Sequence, residues 1–324
     1  MDSLSIIRNR LEKELDAKNE IITSSLSTPN DMMNEVVTYY LRQKGKQLRP
    51  VMVILSARFF GKICEDVLYA GAALEMLHNA SLIHDDIVDE TSVRRGRPTV
   101  NNVWGNHIAV LVGDFFVSNA LAAGIHTGNI NVISSLSELG KELSLGEIDQ
   151  ICNAREHHFD YESYFGMIRK KTASLFRNCV KMGAETVGVK EESYAPLLDY
   201  GEKLGLCFQI KDDIFDYSPS AKIGKPTGND LREGKVTLPL LYALAEGPQD
   251  EAEKIRGILR RGDLSEEEIA QAIRFAVDNG GIEYAYSRMR EIENEAEKDL
   301  AVYPDSEWKD AFRQLFDYII ARDY

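Results

Sequence analysis

Cysteine is scarce in this 324-residue chain: only Cys64, Cys152, Cys179 and Cys207 occur, far apart and in neither a CxxC pair nor a dense framework. They read as ordinary core thiols in a reducing compartment. Proline (9) and glycine (23) are too few to interrupt the helical periodicity that dominates the chain, and alternating strand-like runs are nearly absent. An all-α fold is expected. Positive charge is in deficit, since 38 Lys and Arg against 52 Asp and Glu leave a formal charge of −14. That argues against nucleic acid as a partner, because phosphate-backbone binding needs a broad basic surface. An anionic small substrate would need local basic clusters instead.

Long apolar runs are also missing, with one exception. Ile108 to Ile125 approaches the length of a membrane span but contains Asp114, which is costly in hydrocarbon, so a buried core helix and no transmembrane segment are expected. The opening MDSLSIIRNRLEKELDAKNE has no basic stretch leading into an apolar one, so no secretory signal is visible and a cytoplasmic location is expected.

What the chain does contain is 44% hydrophobic and 28% charged residues, the profile of a soluble globular protein with a sizeable core. The length alone would suggest about two domains. No break between helical stretches looks like a flexible linker, however, and stretches such as Val67 to Asp89 and Tyr194 to Tyr217 are long enough to cross a whole domain. The expectation is a single all-helical domain over 1–324, built as one large antiparallel bundle.

Two acidic clusters of the same form echo each other in the two halves: Asp85-Asp86-Ile87-Val88-Asp89 and Asp212-Asp213-Ile214-Phe215-Asp216. A helix advances about 100° per residue, so Asp85 and Asp89 stand one turn apart on nearly the same line, with Asp86 to the side; Asp212, Asp216 and Asp213 repeat this. Like charges at this spacing cost a helix roughly 0.2 to 0.5 kcal/mol per pair. A cation would remove that cost. A solvated acidic face is the plain alternative, but both clusters lie amid apolar residues, in SLIHDDIVD and CFQIKDDIFDY. Carboxylates without nearby cysteine pairs suit a hard ion such as magnesium, which keeps several waters and shares the rest of its shell with substrate phosphates. A calcium loop of the DxDxDG kind and the paired ExxH motifs of a di-iron bundle are both absent.

The basic clusters then have a use. Lys44, Lys46 and Arg49 sit in KGKQLRP; Arg94, Arg95 and Arg97 follow the first acidic cluster; Lys170 and Lys171 precede Thr172; Lys222, Lys225 and Lys235 follow the second. Taken singly each is ordinary surface charge. Beside the acidic clusters they could hold a diphosphate with a metal and stabilise it as a leaving group.

These residues resemble the trans-isoprenyl diphosphate synthases, in particular the bacterial long-chain, octaprenyl-type polyprenyl synthases. The likeness runs in order through GKQLRP (45 to 50), HNASLIHDDIVDETSVRRGRPTVN (78 to 101), VLVGDFF (110 to 116), GEIDQ (146 to 150), KKTASLF (170 to 176), FQIKDDIFDY (208 to 217) and GKPTGNDLREGKVTLPLL (224 to 241), a motif-bearing core of about 40–240. The resemblance implies the isoprenoid synthase fold, a homodimer, and two aspartate-rich helices facing a deep central cavity. It implies that several magnesium ions join Asp85, Asp89 and Asp212, with Asp86 and Asp216, to an allylic diphosphate, and that Asp213 belongs to the same catalytic set. Arg94, Lys171, Thr172, Gln209, Lys225 and Lys235 would complete the allylic site. Lys46, Arg49, His78 and Arg95 would hold isopentenyl diphosphate. Helical spacing is compatible, since His78 lies two turns before Asp85 and Gln209 one turn before Asp212 or Asp213.

The same resemblance implies that product length is set by the residues before Asp85, where bulky aromatics at the fourth or fifth preceding position block the tunnel. Here those positions are Ser81 and Ala80, so the tunnel is expected to continue to Leu77 and Leu74 and the product to be long, with a quinone side chain as its destination and transient membrane contact for its release. Two departures stand out: Lys44-Gly45 replaces the usual Gly-Gly, and Gln47 stands where a basic residue is common, which would weaken isopentenyl diphosphate binding slightly. The alternatives are a short-chain farnesyl or geranylgeranyl diphosphate synthase and a non-catalytic regulatory subunit, the latter expected to lose one acidic cluster. A terpene cyclase would lack GKQLRP, and an HD-type phosphohydrolase reading of His78, His84 and Asp85 leaves the Asp212 cluster unexplained.

Overall fold

The structure, a computed structural model, describes residues 2–42, 45–217 and 227–322; Lys44, Lys222 and Lys225 lie outside the described residues. Those residues are helical almost throughout, as expected, apart from connecting turns and a ladder in which Val93–Arg94 pairs antiparallel with Arg97–Pro98. The chain divides into two compact units. One comprises Met1–Lys141, Leu175–Gly201 and Val302–Leu315; the other comprises Glu142–Ser174, Glu202–Ala301 and Phe316–Tyr324.

In the first unit the helix Glu65–Val88 is central. Glu65 and Asp66 in its first turn complement the positive end of the helix dipole. Beyond them Val67, Ala70, Gly71, Ala72, Ala73, Leu74 and Met76 are all buried, the pattern of a helix enclosed on most sides. Its small residues let neighbours approach closely. The neighbouring helix Leu48–Phe60 is buried continuously from Val51 to Ala57, and the helix Ser174–Thr186 meets it at Gly183, where an added Cβ would lie 2.3 Å from the Val53 carbonyl oxygen. On the helix Asn106–His126, Gly113 leaves room for the His84 ring, which a Cβ would meet at 2.1 Å.

That helix, Asn106–His126, is the apolar run singled out by sequence. It is a core helix on one face, through Ala109, Val112, Gly113, Phe116, Ala120, Ala123 and Gly124. Its other face is apolar too, and Val110, Leu111, Leu121 and Ile125 are exposed there.

The second unit packs a core of Tyr217, Leu231, Leu240, Leu244, Ile255, Ile269 and Phe275. Its helices are punctuated by clear signals. Pro239 stands in the first turn of Leu238–Glu246, where its missing N–H costs nothing, and Ser265 forms a reciprocal capping box with Glu268 at the start of Glu266–Asp278.

Gly183→Ala is expected to lower stability by about 1–3 kcal/mol, because the methyl meets backbone that cannot swing aside. Gly257→Ala, on the exposed face of Gln249–Leu259 with nothing within 4 Å, should raise it by about 0.5–1 kcal/mol. Urea unfolding of the two variants checks both signs.

Candidate active site

The first acidic cluster lies at the C-terminal end of the helix Glu65–Val88, with Asp89 as its cap and the Asp89 N–H donating to the Asp85 carbonyl at 2.8 Å. This is the negative end of the helix dipole, where carboxylates are unfavourable and cations favourable. Arg94 supplies one cation: its Nε and Nη2 reach Asp86 Oδ1 at 2.8 and 2.7 Å. The chain folds back for this contact through Arg95 and Gly96, both in the left-handed region (φ 52 and 74), between the paired Val93–Arg94 and Arg97–Pro98. Asn101 and Thr99 fix the return by hydrogen bonds to the carbonyls of Asp86 and Thr91. Burial opposes charge on Arg94, yet the hydrogen bond and charge of Asp86 hold its pKa above the ordinary value. Asp86 is buried, whereas Asp85 and Asp89 are only partly so.

A cationic group stands beside this cluster. Gly45 lies against the Arg95 guanidinium so closely that a Cβ would meet Nη1 at 2.9 Å. His78 is buried, and burial followed by the charges of Arg49, Arg95 and Arg94 depresses its pKa well below the ordinary imidazole value. It is therefore neutral at pH 7, and its neighbours form a positive field without it. Arg49 is set at the start of Leu48–Phe60, with Cζ 5.9 Å from the Phe176 ring; Lys46 is exposed in the preceding loop. Gln47 adopts a left-handed conformation and turns its amide to Asn19 Oδ1 at 3.0 Å. The residue that departs from the family pattern thus points to the N-terminal helix Glu12–Ser25.

The second cluster closes the helix Glu191–Tyr217, again at a C-terminal end. Asp213 is buried and accepts from Tyr164 Oη at 2.5 Å and Gln209 Nε2 at 2.8 Å; burial, with Asp212 and Asp216 nearby, pushes its pKa up to about 7 despite those bonds. Asp216 accepts from the N–H groups of Asn229 and Asp230 at 2.9 and 3.0 Å, and burial raises its pKa. Asp230 follows, pushed well up by burial and then by Asp213 and Asp216. Asp212 is the more exposed carboxylate, and its Oδ1 pairs with Arg322 Nη2 at 2.6 Å.

In the same unit a π-helical turn, Arg169–Ala173, carries Lys171 and Thr172. Gly146 admits it: a Cβ there would lie 2.7 Å from the Lys171 nitrogen. Lys171 Nζ bonds Glu147 at 2.5 Å and Gln150 at 2.9 Å, and Thr172 Oγ1 donates to Gln209 Oε1 at 2.7 Å. Lys235 pairs with Glu233. The GEIDQ landmark therefore acts as the seat of Lys171, and Thr172, Gln209, Asp213 and Tyr164 form one connected chain.

The candidate chain-length residues separate by burial. Ala80 and Leu74 are 1% and 0% exposed, whereas Leu77 and Ser81 are half-buried; the Ser81 hydroxyl is turned back to the His78 carbonyl at 2.9 Å.

With this geometry in place, comparison with known proteins is decisive. A model of the family described as polyprenyl synthetase matches residues 30–276. The chain belongs to that family. Octaprenyl diphosphate synthase of Haemophilus influenzae is 32% identical, covering 99% of this chain and 98% of its own. Polyprenyl synthase from Caulobacter crescentus, solved with calcium and isoprenyl diphosphate, superimposes with a TM-score of 0.92 at 30% identity, covering 99% of this chain and 98% of that one. Geranylgeranyl pyrophosphate synthase from Bacteroides thetaiotaomicron gives 0.86 at 39% identity, covering 99% and 100%. The chain is a trans-prenyl diphosphate synthase, a transferase, and its substrates are isopentenyl diphosphate and an allylic diphosphate.

Synthases of this family depend on metal. Among the described residues no three carboxylate, imidazole or thiol groups already converge as a cation cage. An ion here would take its remaining ligands from water and phosphate, which is the habit of magnesium. The donor set fits: Asp85 and Asp89 are hard oxygens at a negative helix end, and Asp212 already holds a cation in Arg322. Asp86 and Asp216, expected as further ligands, are engaged by Arg94 and by backbone amides. Sequence reasoning missed Tyr164, Glu147, Gln150, Asp230 and Arg322. Glu147, Gln150 and Asp230 sit inside quoted motifs; Tyr164 and Arg322 carry no local signal at all.

A buried neutral His78 sets a sign for acid sensitivity. Its folded pKa lies below the unfolded value of about 6.5, so its contribution to stability is fully present above about pH 6.5 and is lost as pH falls. Relative to His78→Gln, the wild-type chain should lose about 1 kcal/mol for each pH unit below 6.5. Urea unfolding of both between pH 7 and pH 5 measures the difference.

Proposed function

We propose that this chain extends an allylic diphosphate with isopentenyl diphosphate, head to tail with trans double bonds and magnesium dependence, to a long-chain polyprenyl diphosphate destined for a quinone side chain. The observation that carries the long-chain reading is the stripe in front of Asp85, where Ser81 and Leu77 are half-buried and no aromatic residue intervenes. Full-length similarity to octaprenyl diphosphate synthases supports it. The 39% identity to a geranylgeranyl pyrophosphate synthase favours a second reading, a shorter product.

In this reading the allylic carbon–oxygen bond breaks with its electron pair leaving on diphosphate. The isopentenyl double bond attacks the cation, and a proton is lost to the departing diphosphate. Bound magnesium supplies charge neutralisation of the leaving diphosphate. Asp85, Asp89 and Asp212 would hold it, with Arg94, Lys171, Thr172, Gln209, Lys225 and Lys235 toward the allylic diphosphate. Lys46, Arg49 and Arg95, beside neutral His78, would grip isopentenyl diphosphate. A single catalytic domain over 1–324 is part of this reading. The enzyme would work in the cytoplasm.

Incubation with isopentenyl diphosphate, farnesyl diphosphate and magnesium, followed by chromatography, tests the reading. Products well beyond 20 carbons are expected, and none when the divalent metal is removed; a product that stops at 20 carbons supports the shorter reading. Ser81→Phe should shorten the product. Ala80→Tyr should chiefly destabilise the fold by about 1–3 kcal/mol, because Ala80 is buried.

A homodimer is the proposed assembly, supported by the exposed Val110, Leu111, Leu121 and Ile125 on one face of Asn106–His126. Sedimentation should give twice the 36.5 kDa chain mass, and Leu111→Asp with Ile125→Asp should give the single mass. A wild-type chain that sediments at 36.5 kDa would refute the dimer.

A further inference from the structure

Arg322 follows directly on the helix Glu307–Ala321, and its N–H still donates to the Tyr318 carbonyl at 2.9 Å. From there Nη2 reaches both the Phe208 carbonyl at 2.8 Å and Asp212 Oδ1 at 2.6 Å. The guanidinium lies 4.0 Å from the Phe208 ring centroid and 5.4 Å from that of Phe215, the fourth residue of the second cluster. Its side chain is 7% exposed while that of Asp212 is 41% exposed. The cation is thus packed into the unit, and the carboxylate opens outward. One nitrogen serves both acceptors, and the buried Nε has no partner among the described residues. Arginine ordinarily offers a carboxylate two parallel bonds. Among the described residues the fork is engaged by one nitrogen.

We propose that Arg322 is the resident counter-ion of Asp212: a positioning residue that aims this carboxylate and competes with an incoming divalent ion for it. The proposal rests on the reading of Asp212 as a metal ligand. Magnesium binds carboxylate oxygen at about 2.0–2.1 Å, and an oxygen already bonded to a guanidinium nitrogen cannot take that ion without giving up the bond or sharing it between two cations. The aromatic packing of the guanidinium, which does not depend on Asp212, keeps the arginine nearby once the pair opens. Its unpartnered Nε then leaves a donor for an anion. Phosphate oxygens are the chemical class it suits. The C-terminal end of the chain would in this way sense whether the second cluster holds metal.

Manganese is the probe, titrated in the presence of inorganic diphosphate and followed by electron paramagnetic resonance. Arg322→Gln should bind one class of manganese about tenfold more tightly than wild type, a change of about 1.4 kcal/mol. Arg322→Lys, which keeps a charge, should stay closer to wild type, and Arg322→Gln should change nothing when Asp212→Asn is also present. Hydrogen exchange in the wild-type segment 315–322 should rise when manganese and diphosphate are added, a readout that needs no substitution to fold. Equal or weaker manganese binding by Arg322→Gln, or unchanged exchange in 315–322, overturns the proposal. If instead Asp212→Asn keeps the full manganese complement, the reading of Asp212 as a ligand is the one that fails.

Discussion

Carboxylates gathered at the C-terminal end of a helix require positive charge or hydrogen-bond donors beside them, and this chain meets that requirement twice. Two unit charges 4 Å apart interact by about 4 kcal/mol at the effective dielectric of a protein surface, and the dipole at a helix end adds to the repulsion. Compensation is divided within each cluster. Asp86 has Arg94, Asp213 has Tyr164 and Gln209, and Asp216 has two backbone amides. Asp212 has Arg322, and it is half-buried like Asp85 and Asp89. A cluster that looks symmetric as a string of letters therefore differs from one carboxylate to the next in burial and in hydrogen-bond partners.

Bringing the partners to these ends demands unusual backbone, and single residues provide it. Arg95 and Gly96 turn the chain within two residues so that Arg94 returns to Asp86. The π-helical turn Arg169–Ala173 aims Lys171 and Thr172 differently from regular helix, and it can sit where it does because Gly146 has no side chain. Gly45 does the same for Arg95. At Gly45 and Gly146 a larger residue would press on the Arg95 guanidinium and on the Lys171 backbone respectively.

The features that were legible in the sequence are the local ones. Helical period, the spacing of the two aspartate clusters and the basic residues a few positions away all depend on neighbours within two or three turns, which sequence spacing encodes directly. The partners within a cluster were not legible, because spacing sets Asp86 to the side of the Asp85–Asp89 line but does not say what folds over each. Gln47 showed the same limit, since only the three-dimensional path reveals that it faces Asn19. Arg322 and Asp212 are 110 residues apart, and nothing near either one signals the other. The outer face of Asn106–His126 was hidden for a different reason. Both of its faces are apolar, so no polar stripe marked the side that the unit leaves uncovered.

The same distinction between spacing and surroundings bears on product length. Around the helix Glu65–Val88, Leu74 lies about 20° from the line of Asp85, Ser81 about 40°, Leu77 about 80° and Ala80 about 140°. Angle alone would make Leu74 the natural continuation of a tunnel that starts under Asp85. Yet Leu74 is fully enclosed, while Ser81 and Leu77 are not. From Asp85 to Leu74 is about 16 Å of helix, room for about three extended isoprene units before a closed floor. In the long-chain reading, a product longer than that would leave the line of the helix on the side of Leu77, which is only half-buried. In the long-chain reading proposed above, the residue directly beneath the aspartates would therefore matter less than the surroundings of Leu77.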